Sequence, residues 1–120
     1  LGDLIRRTES ATAAVDFVVE ILFVDPWDLD ALLLLARALL DEGRAERALE
    51  ALDRVLRFDP NNDAGLFHQG VALARVRRYE EAVRAWELVV RVAPAGPFAQ
   101  AARTHARSAR DLAHIFAGAA

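Results

Sequence analysis

Three histidines are the side chains in this 120-residue sequence best suited to general-base chemistry or metal binding near neutral pH. His68 stands alone before a run of small residues, and His105 and His114 are nine residues apart, on different faces of a helix. A metal site needs several ligands at short spacing, which these histidines lack. Ser10 and Ser108 belong to no nucleophile motif. We therefore expect no catalytic residue, no metal and no cofactor, and we predict that the protein is not an enzyme.

Charge is distributed unevenly along the chain. Residues 1–63 carry 14 acidic side chains and 7 arginines, a net charge of −7, whereas residues 64–120 carry 4 acidic side chains and 8 arginines, a net charge of +4. The arginines of the second half are the only feature that favours nucleic acid as a partner. The formal net charge of −3 and the absence of interleaved exposed aromatic residues count against it. These features disfavour nucleic acid as a partner.

Composition limits the class of protein further. The chain is 54% hydrophobic, which suits one compact domain. Its apolar runs, such as residues 31–36, are too short to span a membrane, so we expect a soluble protein without membrane insertion. Cysteine is absent, which excludes disulfides and thiolate metal sites but fits the cytoplasm and the periplasm equally. The compartment stays open.

Three prolines recur at a constant interval, at Pro26, Pro60 and Pro94. Before each proline, an alanine is followed four and seven residues later by a large apolar residue, in the sets Ala14, Val18, Ile21; Ala48, Leu52, Val55; and Ala82, Trp86, Val89. This spacing places each set on one face of an α-helix. The sequence therefore contains an internal repeat whose period is the interval between the prolines.

A second amphipathic stretch precedes each of the last two of these helices, at residues 29–42 and 63–76. Gly43 can end the first stretch in the left-handed backbone region, and Pro60 prevents the helix before it from continuing. Side-chain acceptors for the start of the next helix come from Asn61, Asn62 and Asp63. Each repeat is therefore predicted to be a helical hairpin.

The series Leu32, Leu35, Ala36 and Leu39, followed by Ala48, Leu52 and Pro60, resembles the tetratricopeptide repeat, which has the same period. The resemblance implies an all-α fold, a right-handed superhelical array of antiparallel helix hairpins that forms an α-solenoid. We expect a single domain in four parts. The repeat register places Leu1 in the middle of a helix, so the first repeat is expected to be truncated. These parts are a truncated first repeat at 1–28, full repeats at 29–62 and 63–96, and a C-terminal capping helix at 97–120.

The last segment departs from the repeat pattern. Strict register places polar residues where apolar ones belong, namely Gln100, Arg103, Thr104 and Arg107. An apolar face remains at Phe98, Ala102, Ala109, Leu112, Ala113 and Phe116, and Pro97 suits a first helical turn. A terminal repeat needs a wettable outer face, for which Arg103, Arg107 and Arg110 are suited.

Proteins that resemble this chain bind a peptide or protein segment in a concave groove lined by the first helix of each hairpin, and act as scaffolds or adaptors. The resemblance places in that groove Asp30, Leu33, Arg37, Phe67, Val71 and Arg75. Packing between helices would explain the three apolar residues equally well, and a solvent-exposed helix face would explain the two arginines. A groove of this composition suits an amphipathic or extended segment with a carboxylate.

Two further expectations concern the partner. One subfamily clamps the C-terminal carboxylate of chaperones with lysines and asparagines, but this sequence has no lysine, and Arg37 and Val71 occupy the asparagine positions. Chaperone-tail binding is therefore disfavoured. The alternative function is self-assembly into homo-oligomers through the repeat ends, because a truncated first hairpin leaves apolar residues without cover, at Val15, Val19 and Leu22.

Overall fold

The structure is a computed structural model that describes residues 28–119 together with Val19, Leu22 and Asp25. Residues 28–119 form five α-helices and no strand: α1 (Leu29–Asp41), α2 (Ala45–Phe58), α3 (Asp63–Arg75), α4 (Tyr79–Val92) and α5 (Ala99–Ala119). The all-α prediction is confirmed, and the two predicted first helices end within one residue of α1 and α3. The expectation for residues 1–28 lies almost wholly outside the described residues.

The helix starts repeat at the level of single hydrogen bonds. Asp28 caps α1, because its Oδ1 accepts a hydrogen bond from the Ala31 amide at 3.0 Å. Asn62, one repeat period later, caps α3 in the same way, with its Oδ1 2.8 Å from the Gly65 amide nitrogen. These side chains satisfy amides that would otherwise lack a partner at a helix start. The predicted acceptor role of the asparagine turn is confirmed at Asn62.

The turns inside the two hairpins share a backbone conformation but not a residue type. Gly43, between α1 and α2, has a φ of 77°. Arg77, at the same position of the next repeat between α3 and α4, has a φ of 65°. In both turns the next amide donates back to the preceding helix, from Arg44 to Leu39 and from Arg78 to Leu73 at 2.8 Å each. The second hairpin therefore keeps a left-handed residue without using glycine.

Each hairpin forms the centre of its own apolar cluster. The α1–α2 cluster surrounds Leu32, Leu52 and Val55, and the α3–α4–α5 cluster surrounds Trp86 and Val89. Leu49 and Val71 pack against both clusters and so connect them. The core is thus a chain of neighbouring contacts, as expected for stacked hairpins.

Close approach of α3 and α4 depends on Gly70. A Cβ atom added to this residue would lie within 2.7 Å of three atoms of the Trp86 indole ring. Trp86 is 4% exposed, and its Nε1 donates a hydrogen bond to the Phe67 carbonyl oxygen at 3.1 Å. The small residue is needed because the indole ring occupies the space that a side chain would fill.

Helix α5 continues the repeat register on one face only. Gly65 and Ala72 of α3 face α2, and the residues at the same positions one period later, Ala99 and Ala106, are buried. Leu66, Gly70 and Leu73 face α4, but their counterparts on α5 are exposed: Gln100, Thr104 and Arg107. The register therefore holds, while the face that would meet another helix has become polar.

Two details of α5 differ from the sequence-based expectation. Pro97 lies two residues before the helix, so it is not part of the first helical turn. The expected apolar face is buried at Ala102 and Ala109, but Leu112 is 39% exposed and Phe116 is 49% exposed. α5, with 21 residues, is longer than α3, with 13. None of the described helices is long and apolar enough to cross a membrane.

The left-handed turn residues yield a paired prediction. Replacing Arg77 with glycine should stabilise the protein by about 0.5–1 kcal/mol, because glycine adopts this conformation without steric cost. The reverse change at the matched turn, Gly43→Ala, should cost about 1 kcal/mol, since a Cβ there meets no atom within 4 Å and only the backbone conformation is strained. Urea unfolding of both variants measures the change in the free energy of unfolding. Destabilisation by Arg77→Gly would contradict the prediction.

Candidate functional site

The six residues expected in the groove lie on α1 and α3, the first helices of the two described hairpins. The charged members Asp30, Arg37 and Arg75 are exposed. The apolar members are half-buried and pack partly against the core, at Leu33, Phe67 and Val71. The apolar side chains therefore have a packing role and retain some exposed surface.

Polar contacts connect α1 to α3 on this side of the molecule. A guanidinium nitrogen of Arg75 donates a hydrogen bond to the Leu40 carbonyl oxygen at the end of α1. Burial lowers the pKa of His68 on α3, the positive charge of Arg37 lowers it further, and the Asp41 carboxylate raises it. Arg37, His68 and Asp41 therefore share one electrostatic environment across the two helices.

Arg37 and Arg75 differ in their availability to a ligand. No described carboxylate lies within ion-pairing distance of Arg37. Arg75 is attached to the α1 backbone through its hydrogen bond to Leu40. Arg37 is thus the side chain of this pair that keeps its hydrogen-bond donors free for a carboxylate.

A group of aromatic rings connects α3 to α5. The rings of Phe67 and Phe98 stack with their centroids 5.0 Å apart, and the His105 ring lies 5.6 Å from Phe67. His68 meets Phe67 edge-on at 5.4 Å, and His105 meets Trp86 at 5.3 Å. Such offset and edge-on pairs are favourable arrangements for aromatic rings. The side of α3 expected to bind a partner therefore continues onto α5.

Four residues on this surface were not identified from the sequence: Leu34, His68, Phe98 and His105. Leu34 is 48% exposed and stands one turn from Arg37 on α1. The repeat register holds a signal for His105, which is one period after the predicted groove residue Val71. Leu34 and His68 are also one period apart, but the predicted groove did not include their position. The polar residues of α5 obscured that register. The histidines looked scattered because their partners are remote in sequence.

The four residues and the six expected ones together form a surface that we call the groove surface. It combines partly exposed aliphatic and aromatic groups with the guanidinium of Arg37 and the imidazoles of His68 and His105. This composition can bind apolar side chains and a carboxylate of a ligand. The described residues contain no group of three or more potential ligands that could hold a metal ion.

The three residues expected to support self-assembly have different environments. Val15 lies outside the described residues. Val19 is helical and 51% exposed. Leu22 is helical, partly buried and packed against the α1–α2 cluster. The side chain of Val19 is therefore exposed to a partner, whereas that of Leu22 already packs against the core.

Comparisons with known proteins agree with this architecture. A family model described as the tetratricopeptide repeat matches residues 8–72. No curated protein matches the sequence. The chain is similar to the tetratricopeptide domain of Sgt2 from Aspergillus fumigatus, with a TM-score of 0.82 and 21% identity over 99% of this chain and 79% of that one.

Two similar structures contain a bound partner. The first tetratricopeptide domain of RPAP3, bound to an HSP90 peptide, has a TM-score of 0.76 and 16% identity over 97% of this chain and 87% of that one. PcrH, in complex with the chaperone-binding region of PopD, has a TM-score of 0.72 and 19% identity over 100% of this chain and 89% of that one. At these identities the likeness shows the fold.

The lowered pKa of His68 predicts a pH effect on stability. In the unfolded chain this histidine binds a proton at about pH 6.5, whereas in the folded protein it stays neutral to lower pH. Its contribution is therefore fully present above the unfolded pKa and is lost as the pH falls through that value towards the folded pKa. Urea unfolding should show that His68→Gln loses less stability than the wild type on acidification.

His114→Gln is the control, because His114 is an exposed histidine near the end of α5. The control should keep the wild-type pH dependence. Equal acid sensitivity of the wild type and His68→Gln would contradict the assignment. Arg37→Gln should reduce the effect in part, since burial, the larger cause, remains.

Proposed function

Because the chain belongs to the tetratricopeptide repeat family, whose model covers residues 8–72, we propose that it is a non-catalytic protein–protein interaction module. The bound element is a peptide or protein segment, which lies along the groove surface of α1, α3 and α5. The module acts as a scaffold or adaptor. The fold itself does not specify the partner, so the proposal depends on the chemistry of this surface.

The observation that carries the proposal is the continuity of the groove surface across three helices. His68 and Arg37 connect α1 to α3 electrostatically, and Phe67, Phe98 and His105 connect α3 to α5 through ring contacts. Half-buried apolar side chains are held in place by the core but keep part of their surface exposed. A partner segment gains affinity from such preorganised groups because little side-chain entropy is lost on binding.

The groove surface favours a particular kind of segment. Leu34 and the Phe67–Phe98 pair offer apolar contacts, and Arg37 offers paired hydrogen bonds to a carboxylate. The segment is therefore extended or amphipathic, with apolar side chains and at least one acidic residue. The solved complexes of RPAP3 with an HSP90 peptide and of PcrH with a region of PopD support a segment of another protein as the ligand.

The composition of the surface also disfavours two kinds of partner. A chaperone tail held through a lysine and asparagine clamp is disfavoured, because the chain contains no lysine and Arg37 and Val71 stand at the asparagine positions. Nucleic acid is disfavoured by the net charge of −3.

Self-assembly is the competing function, and the exposure of Val19 at 51% favours it. Homo-oligomers would form through the repeat ends, with the acidic and basic halves of neighbouring copies in contact. Light scattering distinguishes the two functions. A mass that rises with concentration and returns to that of the monomer in Val19→Glu would support assembly. A monomer at all concentrations would exclude it.

A selection for binding peptides tests the main proposal. Peptides selected from a random display library on the wild-type protein should contain apolar residues and an acidic residue. Calorimetry should show that Arg37→Glu weakens such a peptide by about tenfold or more, because an attractive charge becomes repulsive. Arg47→Glu is the matched control, since Arg47 is an exposed arginine on α2 and the charge change is the same.

Circular dichroism of both variants checks that they remain folded. Equal weakening by the two substitutions would show a general charge effect and contradict binding at the groove surface. Selected peptides without an acidic residue, bound equally by Arg37→Glu, would contradict the proposed role of Arg37.

A further inference from the structure

A second surface, separate from the groove surface, lies where α4 and α5 meet. The two helices enclose a cleft of about 430 Å³ lined by Glu87, Val90, Arg91, Arg103, Ala106, Arg107 and Arg110. Four arginines and one glutamate give this lining a net charge of +3. None of these residues belongs to the groove surface.

The cleft borders the side of α5 where a further helix would pack if the array continued. Leu66, Gly70 and Leu73 of α3 contact α4, the second helix of their hairpin. The matching residues of α5 are exposed, and one of them, Arg107, lines the cleft. The described residues place no helix there, so this side of α5 has the geometry of a helix-docking face that none of the described helices covers.

The floor of the cleft is apolar. Ala106 is only 3% exposed because it belongs to the buried α3–α4–α5 cluster, whereas Val90 of α4, which also lines the cleft, is half-buried and keeps some exposed surface. The floor therefore suits the apolar residues of an incoming helix.

The arginines around the floor have few acidic partners. Arg110 pairs with Glu87 at 2.8 Å, and Arg103 donates to the Pro94 carbonyl oxygen at 3.5 Å. No described carboxylate pairs with Arg91 or Arg107. Arg103, Arg107 and Arg110 recur at spacings of four and three residues, so they form one stripe along α5.

We propose that this cleft is a second docking site, which binds an acidic amphipathic helix of a partner protein. Apolar residues of that helix lie on Val90, and its glutamates or aspartates, three or four residues apart, pair with the arginine stripe. Guanidinium groups bind carboxylates through paired hydrogen bonds, which fixes the orientation of the helix as well as its affinity.

The residue types of the lining favour a protein helix over nucleic acid. Among the described residues, none that line the cleft is aromatic, so bases would have no ring on which to stack. The apolar floor matches a helix face better than a sugar–phosphate chain.

The probe is a capped alanine-based peptide helix with glutamates at alternating spacings of three and four residues, labelled for fluorescence anisotropy. It should bind the wild-type protein, more weakly as salt increases. Arg107→Glu should weaken it by about tenfold or more, and the matched exposed substitution Arg47→Glu on α2 should not. Replacing the peptide glutamates with glutamine should abolish binding.

Arg37→Glu separates this site from the groove surface. The acidic helix should bind Arg37→Glu as it binds the wild type, and a peptide selected on the groove surface should bind Arg107→Glu unchanged. No binding of the acidic helix, equal loss with Arg47→Glu, or tighter binding of single-stranded oligothymidine than of the peptide would overturn the proposal. Association of the protein with itself that displaces the peptide and is lost in Arg107→Glu would also overturn it, in favour of a second copy.

Discussion

The contact between Trp86 and Gly70 is the interaction on which the rest of the structure depends. A helical hairpin buries its apolar face only against its neighbours, so the distance between successive helices decides whether a core forms. The indole ring fills the space left by a missing side chain and donates its N–H to the Phe67 carbonyl oxygen. This hydrogen bond fixes the backbone of α3 where Phe67 stacks with Phe98. Core packing and the geometry of the groove surface therefore share one set of contacts.

The polar face of α5 follows from the same constraint. α5 keeps alanines where α3 faces the preceding helix and replaces the residues that would face a following helix with polar ones. A stacked core can end in this way because the last helix is covered on one side and hydrated on the other. The arginines that hydrate this side also create a cleft with a charge opposite to that of the chain as a whole. The hydrated face of α5 and the arginine-lined cleft are thus two consequences of one substitution pattern.

The elements of the fold could be predicted from the sequence because their signals are local and recur with the repeat period. Pro60, Gly43 and Asn62 determine where helices stop and start, and the alanine and apolar positions define which faces meet. The left-handed conformation of Arg77 has no signal in its residue type. It adopts the conformation of Gly43 because the hairpin geometry imposes it. The helix starts were predictable at the level of the caps, whereas this turn was not.

The candidate site was less predictable than the fold. Six residues of the groove surface followed from the family resemblance, but the degree to which Leu33 or Val71 is shared with the core depends on contacts between helices. Leu34 belongs to a run of four leucines, and the sequence does not reveal which of them is exposed. His105 and Phe98 join Phe67 only when α5 packs beside α3, so their role is a property of tertiary structure.

The central claim is that the first helices of the repeats, together with α5, form one binding surface. Chemical-shift mapping tests this most directly, by titrating ¹⁵N-labelled protein with a peptide selected on the wild-type chain. The account predicts amide shifts concentrated on α1, α3 and α5, at and around Arg37, His68, Val71 and His105. Shifts concentrated on the outer faces of α2 and α4, with the amides near Arg37 and His68 unchanged, would contradict it.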